Sequence, residues 1–223
     1  IGLAALIEVT RRCVWLPILI VAGFFMIYAL SVGLTNPSFP GRVRYLVRNL
    51  FYTKEGIFST PVNVYSKFIV VFIIFGAFLE RTGISNFFIS LANCIAGRFA
   101  GGPAKVAVIS SALCGMVSGS SVGNTVTTGA VTIPMMKKTG YRPEFAGAVE
   151  AAASTGGQIM PPIMGAAAFL MADFIGVPYS DIIGRAILPA ILYFGGIFIS
   201  VHLEAKKLGL SGIPKEELPK FSK

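Results

Sequence analysis

The feature that most constrains this chain is an uncharged stretch of 31 residues, Val106–Met136. As one straight helix it would be about 46 Å long, well beyond the roughly 30 Å of hydrocarbon in a bilayer. Its middle is rich in glycine, serine and threonine, which interrupt a continuous helix. We therefore predict a re-entrant hairpin over residues 103–136, with half-helices at about Pro103–Ser118 and Asn124–Met136 and a tight turn between them. Asn124 suits the N-cap of the second half.

Composition places the chain in a membrane. Of its 223 residues, 54% are hydrophobic and 13% are charged, and the mean hydropathy is +0.75. A soluble domain carries about 25% charged residues, so an ordinary soluble enzyme and a disordered chain are excluded. The net charge of +9 fits basic cytoplasmic loops better than nucleic-acid binding. The three cysteines form no CxxC pair and His202 is the single histidine, so no zinc site is predicted.

Other apolar runs predict further membrane segments. Residues 1–61 are predicted to hold a lead-in span at about 14–34 and a basic, aromatic segment at 42–54 that lies at the membrane surface. A second span follows at 62–79, and the hairpin is followed by a broken helix over 143–175 and a last span over 182–203. Residues 211–223 are predicted to be a polar tail or linker. The fold class is an all-α, multi-pass membrane protein.

The helix that begins at Pro143 is predicted to break at Gly156–Pro162 and to resume at Met164. The tandem prolines lack backbone N–H groups, so the carbonyls of Gly157 and Gln158 lose their helical partners. Unpaired backbone groups cost several kcal/mol each in hydrocarbon, so such a break survives only when it is buried in protein or lines a polar cavity. Gln158 is therefore predicted to be a lining residue.

The tip of the hairpin offers neutral oxygen atoms rather than carboxylates. Carbonyls that end a half-helix are partly negative, and N–H groups that begin one are partly positive. This arrangement favours a monovalent cation beside an anionic solute, as in secondary transporters, whereas Ca²⁺ and Zn²⁺ require carboxylates or Cys and His. We predict that Na⁺ is bound by Ser118, Ser120, Ser121, Asn124 and Thr125.

Some of these features have a second interpretation. Gly115, Gly119 and Gly123 fit a close-packing helix face equally well. The hydroxyl groups of Thr127, Thr128 and Thr132 are predicted to form hydrogen bonds with their own helical turns rather than to bind an ion. Glu150, an ionisable residue near membrane depth, is a candidate for a gating or proton-linked role, or else it supports packing.

Three runs of the sequence resemble the large membrane (permease) subunit of tripartite ATP-independent periplasmic (TRAP) transporters, and the fused permeases of the TAXI branch in particular. The runs are FGAFLERTG, GGPAKVAVISSALCGMVSGSSVGNTVTTGAVTIPMMKKTGY and VEAAASTGGQIMPPIMGAAAFLMADFIGVPY. The resemblance covers about Val62–Leu210. It implies an elevator-type transporter with two inverted repeats, each carrying a re-entrant hairpin. This chain would then be a fragment that holds the first repeat, residues 62–210.

The resemblance also implies a site and partners. The hairpin tip and the Gly156–Pro162 break would together form the first sodium site, and Gly157 would join its ligands. The same two segments would form one wall of the substrate site, with residues Asn124, Thr125, Gln158, Pro161 and Pro162. It implies sodium-coupled import of carboxylates across the bacterial inner membrane, dependent on a periplasmic TAXI-type substrate-binding protein. Na⁺ would be the coupling ion, with no other cofactor. The remaining partners would be lipid, the second repeat and a small-subunit-like region of the same polypeptide.

Other function classes fit the sequence less well. A passive channel, the main alternative, needs continuous pore-lining polarity, whereas polar oxygens concentrate here at two breaks. An intramembrane hydrolase using Ser120 or Ser121 has neither Lys nor His near those serines in sequence. An ATP-driven pump is disfavoured because the phosphate-binding motif GxxxxGK[ST] does not occur. The chain is thus predicted to be a transporter subunit and not an enzyme.

Overall fold

A computed structural model describes residues 2–14, 16–32 and 38–212. Within these residues the secondary structure is helical, without strands, which confirms the all-α prediction. The chain divides into two compact units, Ile1–Asn63 and Val64–Lys223. The second unit contains both segments in which the sequence predicts irregular backbone.

The first unit holds α1 (Gly2–Val14), α2 (Leu16–Ser31) and α3 (Phe39–Tyr52). Helix α1 was not predicted. In this helix the Glu8 carboxylate accepts hydrogen bonds from Arg11 and Arg12. The two guanidinium groups lower the pKa of Glu8 to about 2. Helix α2 lies inside the span predicted at 14–34, of which residues 15, 33 and 34 are outside the described part. Helix α3 covers most of the basic segment predicted at 42–54.

Two helical segments are long and apolar enough to cross a membrane. Thr60–Arg81 comprises α4 (Thr60–Val64), a π-helical turn (Tyr65–Ile69) and α5 (Val70–Arg81), and the other is α11 (Tyr179–Lys207). They overlap the spans predicted at 62–79 and 182–203. In the most apolar 18-residue stretch of each segment, only 11% and 6%, respectively, is buried. Their apolar side chains therefore face outwards, as contact with lipid requires and as the core helix of a soluble protein does not allow.

Between these segments lie α6 (Ile84–Ala96), α7 (Gly102–Ser118), α8 (Ser121–Lys138), α9 (Pro143–Gly156), a 3₁₀ turn (Gly157–Ile159) and α10 (Ala166–Ile175). Helix α7 is central, because α6, α8 and α9 all pack against it. The core around it uses small side chains such as Ala104, Ala107, Ala146 and Ala153, each fully buried. Small residues let helix backbones approach closely, which is how helices pack in membranes.

The hairpin turn is confirmed, and it is tighter than predicted. Gly119 has a left-handed conformation (φ 60°) that ends α7, and only Ser120 is extended before α8 begins. The expectation that Asn124 caps the second half was wrong. Ser120 is the N-cap, and its Oγ accepts a hydrogen bond from the backbone N of Gly123 at 3.2 Å. Because one left-handed glycine reverses the chain, α8 begins at Ser121 and places Asn124 inside its first turns.

The predicted break after α9 is also present. The helix was expected to resume at Met164, but α10 begins at Ala166, because Met164 has a left-handed conformation (φ 56°) that a helix does not accommodate. Tyr179 Oη lies 2.5 Å from the carbonyl of Ile163 and 3.0 Å from that of Pro162, so its one O–H donates to this pair of carbonyls. A side chain from α11 therefore supplies a donor that the broken helix lacks. Of the tail predicted at 211–223, only residues 211 and 212 lie in the described part.

Replacing Gly119 with alanine should destabilise the protein. A non-glycine residue in the left-handed region costs roughly 1–2 kcal/mol, and a Cβ at this position would also collide with the carbonyl oxygen of Met164. We expect the melting temperature of the purified protein in detergent to fall by roughly 2–8 °C. Gly147→Ala is the control, because a Cβ there meets nothing within 4 Å in α9. Equal melting temperatures for the two variants would contradict the turn described here.

Candidate functional site

The hairpin and the helix break meet backbone to backbone. A Cβ built on Gly157 would lie 2.7 Å from the Cα of Gly115, so neither position accepts a side chain. Gln158 Nε2 donates to Ser121 Oγ at 3.0 Å. The backbone N of Ile163 donates to the carbonyl of Met116 at 3.4 Å. The two irregular segments that the sequence singled out therefore form one junction.

Asn124 is the buried amide at this junction, with 1% of its surface exposed. Its Nδ2 donates to the backbone carbonyl of Ser111 at 2.8 Å. Since a carbonyl only accepts, this bond fixes the orientation of the amide. The Oδ1 atom is then buried without a hydrogen-bond partner among the described residues. An unpaired buried acceptor costs about 1–3 kcal/mol, and a bound cation would remove that cost.

Asn124 lines a cleft of about 370 Å³ bounded by α5, the start of α6 and the two hairpin helices. Ser118 and Ser120, both exposed, line the same cleft. Three of the residues predicted to bind sodium therefore line the same cleft. The other polar residues that line this cleft are Glu80, Ser85, Cys114 and Thr127.

The other residues predicted to bind sodium lie beside the cleft. Ser121 Oγ accepts from Gln158, and Thr125 Oγ1 donates to the Ser121 carbonyl at 2.8 Å, within its own turn. Gly157 lies next to the amide of Asn124, since a Cβ built on Gly157 would be 3.4 Å from Asn124 Nδ2. Any contribution of Gly157 would come from its backbone.

The residues predicted to bind substrate are more dispersed. Gln158 faces the hairpin through Ser121. Pro161 lines an apolar groove with residues of α7 and α11, and Pro162 offers its carbonyl to Tyr179. The Pro161–Pro162 pair therefore does not line the cleft that contains Asn124.

Glu150 is fully buried and is surrounded by hydroxyl groups from three helices. Its Oε1 accepts from Ser111 Oγ of α7 at 2.9 Å, from Ser154 Oγ of α9 at 3.0 Å and from Thr128 Oγ1 of α8. Its Oε2 accepts from Thr132 Oγ1 of α8 at 2.5 Å. Among the residues that the structure describes, no lysine or arginine forms an ion pair with it. The carboxylate therefore depends on hydroxyl donors alone.

The threonines of α8 bond back to their own turns, as predicted. Thr127, Thr128 and Thr132 place their hydroxyls 2.8, 2.8 and 3.0 Å from the carbonyls four residues earlier. Each hydroxyl also faces a carboxylate that the sequence did not predict, Glu80 for Thr127 and Glu150 for the other two. Since a hydroxyl has one hydrogen atom, it donates to the helix carbonyl or to the carboxylate. Residue spacing could have indicated part of this cluster, since residues four apart share a helix face. Thr128 and Thr132 are related in this way, and so are Glu150 and Ser154.

Comparison with known proteins gives a consistent family. The family model described as "Tripartite ATP-independent periplasmic transporter, DctM component" matches residues 1–223. The C4-dicarboxylate TRAP transporter large permease protein DctM of Pseudomonas aeruginosa is 28% identical over 190 residues, which are 85% of this chain and 42% of the relative. Its counterpart in Vibrio cholerae is 26% identical over 196 residues, which are 84% of this chain and 40% of that relative.

A further relative is the isethionate TRAP transporter permease protein DctMQ of Oleidesulfovibrio alaskensis, 33% identical over 91 residues, with 41% of this chain and 14% of the relative covered. The chain spans about two-fifths of the length of the two large permease proteins that it matches over most of its own length. Because the family model extends over all 223 residues, the chain belongs to the DctM component family, the large permease of tripartite ATP-independent periplasmic transporters.

Proposed function

We propose that this chain is part of a secondary active transporter that imports organic anions across the bacterial inner membrane with the help of a periplasmic substrate-binding protein. Family membership supports the transporter class and the binding protein. The names of the relatives, C4-dicarboxylate and isethionate transporters, both refer to organic anions. The outward-facing apolar surfaces of Thr60–Arg81 and α11 support a position in the membrane.

We further propose sodium as the coupling ion, and the buried, unpartnered Oδ1 of Asn124 is the observation that carries this proposal. An amide oxygen, serine hydroxyls and backbone carbonyls are neutral ligands, which suit a monovalent cation better than a divalent one. The ligand set is Ser118, Ser120, Ser121, Asn124, Thr125 and the backbone of Gly157. A cation bound to Asn124 would hold the hairpin tip against the break, because Gly157 lies next to that amide.

The substrate would lie on the other side of this junction. Residues Asn124, Thr125, Gln158, Pro161 and Pro162 are proposed to form one wall of its site. Helix α8 begins at Ser121 beside this junction, and helix N-termini favour negative charge. Cation binding and anion binding would therefore both depend on the same contact between the hairpin and the break.

The proposed architecture is one half of an elevator-type transporter. Helices α7 and α8 would be its re-entrant hairpin and α9–α10 its broken helix. The partners would be a TAXI-type binding protein, and a second repeat and a small-subunit-like region of the same polypeptide. A passive channel remains the alternative function, and it would equilibrate a solute without accumulating it.

The sodium proposal predicts the effect of Asn124→Ala. The full-length permease with its binding protein, in proteoliposomes, is expected to accumulate at least one member of a panel of radiolabelled mono- and dicarboxylates when an inward sodium gradient is imposed. Loss of one buried ligand should reduce sodium-dependent uptake by about tenfold or more, the equivalent of about 1.4 kcal/mol. Asn86→Ala is the matched control, because Asn86 is exposed on α6.

The result separates the function classes. Accumulation that ignores sodium, or that Asn124→Ala leaves unchanged while the protein folds normally, would reject this assignment. Equilibration without accumulation in every gradient would favour the passive channel.

We propose a gating or proton-linked role for Glu150, and its hydrogen bonds support both protonation states. With Glu150 ionised, all four hydroxyls can donate to it. With Glu150 protonated, one hydroxyl must accept instead, and Thr132 can do so because its own hydrogen atom can turn to the Thr128 carbonyl at 3.0 Å. A proton could therefore be gained or lost through rotation of hydroxyl groups, without movement of the helices.

Glu150→Gln tests this role. In the same proteoliposomes at constant sodium, an inward proton gradient should stimulate uptake by the wild type. The glutamine variant should lose that stimulation and keep its dependence on sodium, because glutamine does not titrate. Glu144→Gln removes an exposed carboxylate outside this cluster, so it should retain the response to the proton gradient. A wild type that ignores the proton gradient would leave Glu150 with a packing role only.

A further inference from the structure

We infer that the cleft between α5 and the hairpin is the route by which the coupling cation reaches Asn124, and that Glu80 draws the cation into it. This inference rests on the proposed sodium coupling. It adds a residue, Glu80, and a helix, α5, that lie outside the hairpin and the break.

Glu80 is held against the hairpin. It lies in the last turn of α5, and its Oε1 accepts a hydrogen bond from Thr127 Oγ1 at 2.5 Å. Thr127 and Asn124 are three residues apart on α8 and so are neighbours on one helix face. The Glu80 carboxylate is therefore about one helical turn from Asn124, along the wall of the same cleft.

The width of the cleft depends on a close contact between α5 and the end of α7. Gly76 is buried there, and a Cβ at this position would lie 3.3 Å from the carbonyl oxygen of Val117. Ala77 follows Gly76 and is an exposed residue of the cleft wall. Helix α5 thus closes one side of the cleft without filling it.

The charges in the cleft favour a cation. Within the part of the chain that the structure describes, Glu80 is the only charged residue that lines it, and the remaining lining is apolar or carries neutral hydroxyl, thiol and amide groups. A single sign of charge between low-dielectric walls concentrates the electric field and raises the local concentration of counter-ions. Anions would be repelled by the same field.

Two polar residues of the cleft differ in exposure. Glu80 is exposed to solvent, whereas Asn124 is buried and its Oδ1 lacks a partner. An exposed carboxylate attracts a hydrated cation, and a buried neutral oxygen binds one that has lost water. We therefore assign attraction to Glu80 and ligation to Asn124, so the effect of Glu80 should be screened by salt.

Equilibrium binding of radioactive ²²Na⁺ to the purified full-length permease in detergent tests this assignment, at low and high concentrations of choline chloride. Glu80→Gln keeps the shape of the side chain and its capacity to accept from Thr127, but removes the charge. We expect the half-saturating Na⁺ concentration to rise by about 3- to 10-fold at low ionic strength. The difference should shrink at high ionic strength, and the amount of Na⁺ bound at saturation should not change.

Matched variants separate charge from structure. Glu144→Gln removes an exposed carboxylate from the first turn of α9 and should have no effect. Ala77→Lys places a positive charge on the cleft wall and should weaken Na⁺ binding with the same dependence on salt, whereas Ala77→Gln should not. These two variants keep the test valid if Glu80→Gln fails to fold.

The outcomes distinguish this inference from the function on which it rests. If Asn124→Ala abolishes Na⁺ binding while Glu80→Gln and Ala77→Lys match the wild type, the sodium proposal stands and the route through the cleft is overturned. If Glu80→Gln removes Na⁺ binding at saturation as well, Glu80 is a ligand and its assignment as an attracting residue is wrong. If the wild type binds no Na⁺, both proposals fall.

Discussion

The need to pair buried backbone polar groups controls this structure. Two segments, the hairpin tip and the break after α9, leave backbone groups without helical partners, which costs several kcal/mol for each unpaired group in lipid. The second unit places the two segments against each other: Ile163 N donates to the Met116 carbonyl and Gln158 donates to Ser121. Tyr179 then supplies a donor from α11. Each irregular segment is therefore tolerated partly because the other is present.

That mutual contact requires glycine at particular positions. Gly115 and Gly157 touch backbone to backbone, and a side chain on either would force the hairpin away from the break. Asn124 lies beside this contact, and its Nδ2 donates to the Ser111 carbonyl. The cost of the close approach is one amide oxygen without a partner. The described residues leave one other buried amide oxygen, that of Asn93, in the same state, although most buried polar atoms in proteins are paired.

The sequence predicted best what local chemistry determines. The turn near Gly119 and the break at Pro161–Pro162 were located because glycine, serine and proline act on their own backbone. The start of α8 was misplaced by three residues and that of α10 by two, because the left-handed conformations of Gly119 and Met164 accompany contacts between distant segments. The donors to Glu150 could not be identified as a set. They come from three helices, and only packing shows which hydroxyls face the same carboxylate.

Helix α8 connects the two carboxylates. Thr127 and Thr128 are consecutive, so their side chains point about 100° apart; one reaches Glu80 at the cleft and the other reaches Glu150 in the core. Asn124 lies one turn earlier on α8. Ser111 connects Asn124 to Glu150, because its carbonyl accepts from Asn124 Nδ2 and its hydroxyl donates to Glu150 Oε1. A shift of α8 that alters the Asn124 site would therefore strain the bonds to both carboxylates. Since packed interfaces favour discrete arrangements over gradual deformation, the hairpin would respond to the proposed cation as one body.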